Sequence, residues 1–190
     1  DLLDKQGLED VVREAQPTIV VHLAAIAFVG HGVANEFYRV NLIGSHNLLE
    51  ALTSHAKGLE AVLLASSANV YGNSIEGVLT ENTPTNPAND YAVSKLAMEY
   101  MAKLWLDKLP LFTVRPFNYT GVGQSEDFLL PKIVSHFHRQ APYIELGNID
   151  VWRDFSDVRS VAKIYRRLIE VNPIGQTVNV CSGKTHSLRE

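Results

Sequence analysis

An α/β fold built on a doubly wound parallel sheet is predicted by three observations on this 190-residue chain. Short apolar, β-branched runs alternate with stretches of helical period. The runs lack in–out alternation, as strands do when a parallel sheet is covered on both faces. Composition agrees: 46% hydrophobic and 20% charged residues is a globular average, which excludes disorder, collagen and coiled coil.

In order, Leu8, Val11, Val12 and Ala15 recur at helical spacing until Pro17 stops the pattern. The run from Ile19 to Ala25 predicts a doubly covered strand. Helical period returns from Val33 to His55, with Phe37, Val40, Gly44, Leu48 and Ala51 on one stripe. Ala61 to Ala65 predicts a second strand, ending in Ser66-Ser67. A polar loop with Pro84 and Pro87 leads to a helix from Asn89 to Asp107. Leu111 to Arg115 predicts a third strand, stopped by Pro116. Beyond it, Asn118 to Ser125 reads as a loop and Phe128 to Arg139 as a helix. Tyr143–Leu146 and Val151–Phe155 read as short strands, Asp157–Val171 as a helix and Thr177–Val180 as a strand. Residues 1–117 are thus expected to form the main part of the sheet, and residues 118–190 a smaller region interleaved with the last sheet strands at the carboxyl edge, where open α/β folds bind ligands.

Seventeen Lys plus Arg against 21 Asp plus Glu give a net charge of −4, no footprint for a nucleic-acid partner. The longest mostly apolar stretch, Ile19 to Gly30, is too short to span a bilayer, so no membrane partner is expected. The single Cys181 excludes an internal disulfide framework and fits a reducing, cytoplasmic setting. His136 and His138, two apart on a helix, make a poor metal pair, and no metal is expected.

The chemistry-bearing signal is Tyr91-Ala92-Val93-Ser94-Lys95. Residues four apart share a helix face, so the two head groups can reach one site. A phenol of ordinary pKa, roughly 10, is a poor acid–base catalyst at neutral pH, and a neighbouring ammonium is expected to lower it. Ser66-Ser67 ends a buried strand and could present a hydroxyl at the same rim. Capping of the next turn is the bland role for that serine pair. No Gly-x-Ser-x-Gly elbow surrounds Ser67, so a hydrolase is excluded. The near match Gly30-His31-Gly32-Val33-Ala34-Asn35 is rejected as a dinucleotide fingerprint. Its third glycine is Asn35, and Gly30 lies too far past the strand.

His22-Leu23-Ala24-Ala25, Asn41, Ser66 to Gly72, Tyr91-x-x-x-Lys95 and Arg115-Pro116-Phe117-Asn118 together resemble the extended short-chain dehydrogenases. These are the NAD-dependent nucleotide-sugar epimerases, dehydratases and reductases, built on a Rossmann-like fold. The resemblance implies that Tyr91 is the acid–base group and Lys95 its partner, which also holds the nicotinamide ribose. It implies that Ser67 binds the reacting C4 oxygen and that Ala24, Ala25 and Pro116 line an NADP or NAD cofactor. Asp1 and Leu2 resemble the pair beside the adenine. Asn69 and Asn118 are implied on the substrate side, and Arg153 as the arginine facing the sugar diphosphate. A salt bridge from Arg153 to Asp154 or Asp157 is the competing expectation.

Dehydration needs acid–base groups at C5 and C6, yet Ala68 and Asn69 follow Ser67, and no Asp or Glu occurs until Glu76. Only Asp90 could approach from another direction. The stretches Asn118 to Phe128 and Trp152 to Arg159 are most similar to GDP-4-keto-6-deoxy-D-mannose reductases, with Ser160 a departure from the usual Asp. The expected reaction is therefore reduction of a GDP-4-keto-6-deoxy-hexose. A 4-epimerase is the alternative, and a non-catalytic dinucleotide sensor represents a different class. The family also implies a homodimer through the Val33–His55 and Asn89–Asp107 helices. Finally, a β-α-β-α-β half of roughly 50–60 residues is expected before Asp1. Ser187-Leu188-Arg189-Glu190 is expected to cap a further helix.

Overall fold

The computed structural model describes residues 1–27, 33–73 and 77–189. Gly30 to Gly32 of the rejected fingerprint, Glu76 and Glu190 lie outside them. The elements run α1 (Lys5–Ala15), β1 (Ile19–His22), α2 (Ala34–Phe37) and a π-helical segment (Tyr38–Gly44) leading into α3 (Ser45–His55). Next come β2 (Ala61–Ala65), a 3₁₀ turn (Ala68–Tyr71), α4 (Asp90–Lys103), β3 (Leu111–Pro116) and β4 (Asn118–Thr120). The chain continues through α5 (Leu129–His138), β5 (Trp152–Asp157), α6 (Val158–Val171), β6 (Thr177–Val180) and β7 (Thr185–Ser187). Among the described residues, no helix is long and apolar enough to cross a membrane.

Four strands pair in parallel in the order β1-β2-β3-β6. Alternate side chains of β2 serve two separate cores. Val62 and Leu64 pack with Leu48, Leu49 and Leu52 of α3 and Met98 and Ala102 of α4. Ala61 and Leu63 pack with Phe112, Val114 and Val180, beneath Val161 and Tyr165 of α6. Burial on both faces is why β2 and β3 read as unbroken apolar runs.

β1 departs from expectation. It ends at His22, and Ile19 and Val21 remain 45% and 41% exposed while Val20 joins the first core. Among the described residues it stands at the edge of the sheet, with Val20 turned to the first core. Past His22 the backbone leaves the ladder, and the Ile26 peptide pairs with a side chain instead. Asn41 Oδ1 accepts from Ile26 N at 2.9 Å, and Asn41 Nδ2 donates to Ile26 O at 3.1 Å. Asn41, fully buried, sits within the π-helical segment of the otherwise expected Val33–His55 helix.

Further corrections fall on both sides of Pro116. Asn118–Thr120, expected as loop, is a strand paired in parallel with β5. Tyr143–Leu146 forms no strand, and Tyr143 is exposed. Ser187 ends β7, which pairs antiparallel with β5, and its hydroxyl accepts from Arg189 N at 3.2 Å; the helix it is expected to open lies outside the described residues. The Asn89–Asp107 helix stops at Lys103 and passes into turns. Val11, placed on the buried stripe of α1, is 61% exposed, and only Val12 is buried.

One buried titratable group ties the edge strand to the helix. Ser45 Oγ donates to Asn41 O at 2.7 Å, so its lone pair is left to accept from His22 Nε2 at 2.8 Å. Burial, with the Lys95 charge second, drives His22 from 6.5 down to about 4. Between those two values the unfolded chain binds a proton that the folded chain refuses. Stability is therefore expected to fall as pH drops from 6.5 towards 4, by an amount on the order of 2 kcal/mol. Urea unfolding at pH 7 and pH 4.5 checks this against His22→Gln, which should lose that portion of the acid sensitivity. Equal acid sensitivity in both proteins would contradict it.

Candidate active site

The carboxyl ends of β2 and β3 and the first turn of α4 converge on a cavity of about 240 Å³. Open parallel sheets bind ligands at this edge. Ser66 still belongs to the ladder, its N–H donating to Val114 O at 2.8 Å. Ser67 then turns the chain. Its hydroxyl accepts from Asn69 N at 3.2 Å, capping the 3₁₀ turn, and also meets the Tyr91 hydroxyl. The bland capping role and the site role thus fall on the same oxygen.

Tyr91 stands in the first turn of α4, which Asn89 caps by accepting from Ala92 N at 2.9 Å. Its ring packs edge-on against Phe37, with centroids 6.0 Å apart. Lys95 follows one turn later, almost wholly buried, and its Nζ donates to Ala65 O at 2.8 Å. The expectation that Lys95 lowers the Tyr91 pKa is not what this geometry produces. Burial raises the phenol above its ordinary value, the Ser67 hydrogen bond opposes that rise, and the nearby Tyr119 adds to it. The ammonium is spent on a backbone carbonyl and is itself depressed by burial to about 8, with Glu99 pulling the other way.

Of the residues expected at the cofactor, Ala25, Tyr91, Lys95 and Pro116 line the cavity together with Leu23 and Ala27. Ala24 is exposed and lies outside the cavity wall. Asp1 and Leu2 also lie outside it. Leu2 accepts from Asn47 Nδ2 at 3.0 Å and packs where a side chain on Gly44 would stand. The donor set fits a dinucleotide at this edge. Small side chains at Ala25 and Ala27 line it, and the Lys95 ammonium, held on Ala65 O, lines the same cavity as the Tyr91 phenol.

On the substrate side, Asn69 and Asn118 line the same cavity with Tyr119, Thr120, Gln124 and Phe155. Asn118 Nδ2 donates to Asp154 O at 3.2 Å, fastening β4 to β5. Arg153 is exposed and outside the wall, and its Nη1 donates to Trp152 O at 2.9 Å. Neither competing salt bridge forms. Asp154 is buried and accepts from Ser182 N, Ser182 Oγ and Lys184 N, while Asp157 pairs with Arg159. No Asp or Glu appears among the described residues lining the cavity. Asp90 is exposed and accepts from the Tyr38 hydroxyl at 2.7 Å. No group of three or more His, Cys, Asp or Glu among the described residues could hold a metal ion.

Sequence reasoning gave Asn41 no role, yet it joins two walls of the site. Besides clamping the Ile26 peptide, its Nδ2 lies 3.1 Å from Ser94 Oγ, whose hydroxyl donates to Tyr91 O at 2.7 Å. The available signal was a polar residue inside an apolar helical stripe. Glu99, whose partners lie on other elements, was missed as well.

A parallel α/β sheet whose strand end sets a serine hydroxyl against a Tyr-x-x-x-Lys pair defines an extended short-chain dehydrogenase/reductase. Within that class, the chain belongs to the GDP-mannose 4,6 dehydratase family, whose sequence model matches residues 1–190. It is 37% identical over 188 residues to GDP-6-deoxy-D-talose 4-dehydrogenase of Aggregatibacter actinomycetemcomitans, covering 99% of this chain and 64% of that protein. It is also 37% identical over 202 residues to GDP-6-deoxy-D-mannose reductase of Pseudomonas aeruginosa, covering 100% of this chain and 66% of the relative. A crystal structure from Burkholderia cenocepacia J2315, provisionally assigned as an epimerase, superposes with TM-score 0.92 at 57% identity. It covers all of this chain and 61% of its own. The structure of RMD from Pseudomonas aeruginosa complexed with NADPH superposes with TM-score 0.90 at 35% identity, covering 100% of this chain and 68% of that one. The chain thus spans just under two thirds of the two curated relatives.

Proposed function

We propose that the whole protein reduces the C4 carbonyl of a GDP-4-keto-6-deoxy-hexose with NADPH or NADH. The observation that carries this reading is the Ser67–Tyr91–Lys95 constellation in a cavity whose described lining holds no carboxylate. Elimination of water from a sugar needs acid–base groups beyond the C4 pair, and among the described residues neither the cavity wall nor Asp90, which is exposed and paired with Tyr38, offers one. The family's dehydratase name therefore does not transfer to the chemistry. The two relatives at 37% identity act on GDP-linked 6-deoxy sugars that differ in configuration at C4. Reduction of one 4-keto compound from either face connects them.

When bound, the nicotinamide supplies the hydride. Ser67 holds the C4 oxygen by a hydrogen bond, and Tyr91 gives its phenolic proton to the alkoxide that forms there. The phenol is in its protonated form at neutral pH, the form a reduction requires, although burial makes it a weaker acid than an exposed tyrosine. Lys95 supplies positive charge beside the reacting oxygen and a donor for the cofactor ribose. Ala25 and Pro116 shape the cofactor side, where Ala24, Asp1 and Leu2 contribute only through a cofactor extending beyond the cavity. Asn69 and Asn118 bind the sugar side. Arg153, exposed on β5, meets the diphosphate where the ligand leaves the cavity.

On this reading residues 1–117 serve the dinucleotide and 118–190 the nucleotide sugar. The protein acts in the cytoplasm as a homodimer. Val93, Tyr100 and Leu104 form an exposed apolar stripe on α4 and its exit, with Ile43 exposed on the neighbouring helix, which supports that pairing. The test follows absorbance at 340 nm while the whole protein meets NADPH or NADH and a GDP-4-keto-6-deoxy-hexose. Consumption of reduced cofactor with a 6-deoxy-hexose product is expected. Interconversion of C4 epimers without net cofactor oxidation would establish the epimerase instead. Cofactor binding without any turnover of nucleotide sugars would establish a sensor.

A further inference from the structure

The stripe of α4 that carries Tyr91 and Lys95 continues one turn further to Glu99, which is 4% exposed. Facing it from β3 is Arg115, 7% exposed. Glu99 Oε1 accepts from Arg115 Nε at 2.9 Å and Glu99 Oε2 from Arg115 Nη2 at 2.6 Å. The Ser66 hydroxyl donates to Glu99 Oε1 at 2.5 Å. On the other side, Arg115 Nη1 donates to the Tyr71 hydroxyl at 2.9 Å, and the guanidinium carbon lies 4.9 Å from the Tyr71 ring centroid. Neither charged residue lines the cavity.

Stability alone seldom justifies burying such a pair, because desolvation cancels most of the attraction. What this pair holds is position. Ser66 is covalently joined to Ser67, and Tyr71 closes the turn that Ser67 caps. The pair therefore grips both ends of the segment whose second residue presents its hydroxyl to Tyr91. We propose that Glu99 and Arg115 are positioning residues that clamp the Ser66–Tyr71 turn onto α4 and so hold the Ser67 hydroxyl on Tyr91. This inference rests on the reading of Ser67 and Tyr91 as the groups that meet the C4 oxygen.

Ser66→Ala in the whole protein tests the clamp, because it releases the turn while leaving Ser67, Tyr91 and the ion pair in place. Misplacement of a reacting group by about an ångström can cost up to about 100-fold. Ser66→Ala is expected to lower kcat by about 10-fold or more, with KM for the nucleotide sugar within about twofold of wild type. Ser66→Thr, which keeps the hydroxyl, should recover most of the loss. Replacing both charges in Glu99→Leu with Arg115→Met, which leaves Ser66 and Tyr71 no side-chain partner at those positions, should leave a folded protein with the same kcat defect. Wild-type kcat in Ser66→Ala or in the folded double variant would overturn the clamp. So would a kcat loss that merely tracks the unfolded fraction. A crystal structure of Ser66→Ala provides a readout independent of activity. Separation of Ser67 Oγ from the Tyr91 hydroxyl supports the clamp, and an unchanged contact overturns it. If the wild type turns over no 4-keto sugar, the proposed function fails while this structural readout still decides the clamp.

Discussion

Tyr91→Phe is expected to reduce turnover of the 4-keto sugar by at least about 10²–10⁴-fold, the usual worth of a positioned acid–base group. The substitution removes one oxygen and keeps the ring that packs against Phe37. Folding should therefore survive, and KM should change little, since the remaining cavity wall is untouched. The Ser67 hydroxyl keeps its donor from Asn69 N, so the turn it caps stays in place. What disappears is the proton for the forming alkoxide. Water is a poor substitute in a cavity where the phenol itself is only 8% exposed. Single-turnover oxidation of reduced cofactor measures the effect directly. Near wild-type turnover in Tyr91→Phe would remove Tyr91 from the proton transfer and leave the role to another group.

Gly72→Ala should be the most damaging small substitution near the site. Gly72 closes the 3₁₀ turn with φ 72° and ψ −148°, a region that essentially only glycine occupies. A methyl group there would also land on the Asn86 carbonyl oxygen. That oxygen cannot yield easily, because Asn86 N is held by Val70 O at 2.9 Å. Strain and displacement together are expected to cost about 3 kcal/mol or more. Because the turn begins at Ser67, activity should fall alongside stability. Chemical unfolding of wild type and Gly72→Ala, with the midpoint and slope compared, measures the first effect. A variant as stable as wild type would show that the loop carrying Asn86 moves aside freely.

How much of this was legible beforehand depended on the range of the cause. The strands of Ala61–Ala65 and Leu111–Pro116 were readable because burial on both faces leaves an apolar run in the sequence itself. The Tyr91–Lys95 pairing was readable because one helical turn brings i and i+4 together. The short strand Asn118–Thr120 was not readable, since its ladder partner Phe155–Asp157 lies more than thirty positions away. The same holds for the strand Thr185–Ser187, whose partner Trp152–Asp154 of β5 is equally distant in the chain. The full reach of β1 was overstated because the Asn41 side chain that takes the Ile26 peptide comes from a distant helix. The π-helical segment escaped for a different reason. Its period differs too little from that of an α-helix to disturb an apolar stripe, yet it carries Asn41, which clamps the Ile26 peptide.

Sequence by itself determined the parallel α/β class through periodicity and brought Tyr91 and Lys95 together through helical spacing, while Ser67 and the reacting roles of all three came from the resemblance of the ordered motifs. Only the tertiary structure decided what surrounds those groups. It placed Lys95 on the Ala65 carbonyl, raised the Tyr91 pKa through burial, left Arg153 outside the cavity wall and joined Glu99 to Arg115 beneath the serine turn. Each of those outcomes depends on desolvation or on a partner from another element. Neither is encoded in the spacing of residues along the chain; both arise only when the two faces of the sheet are closed.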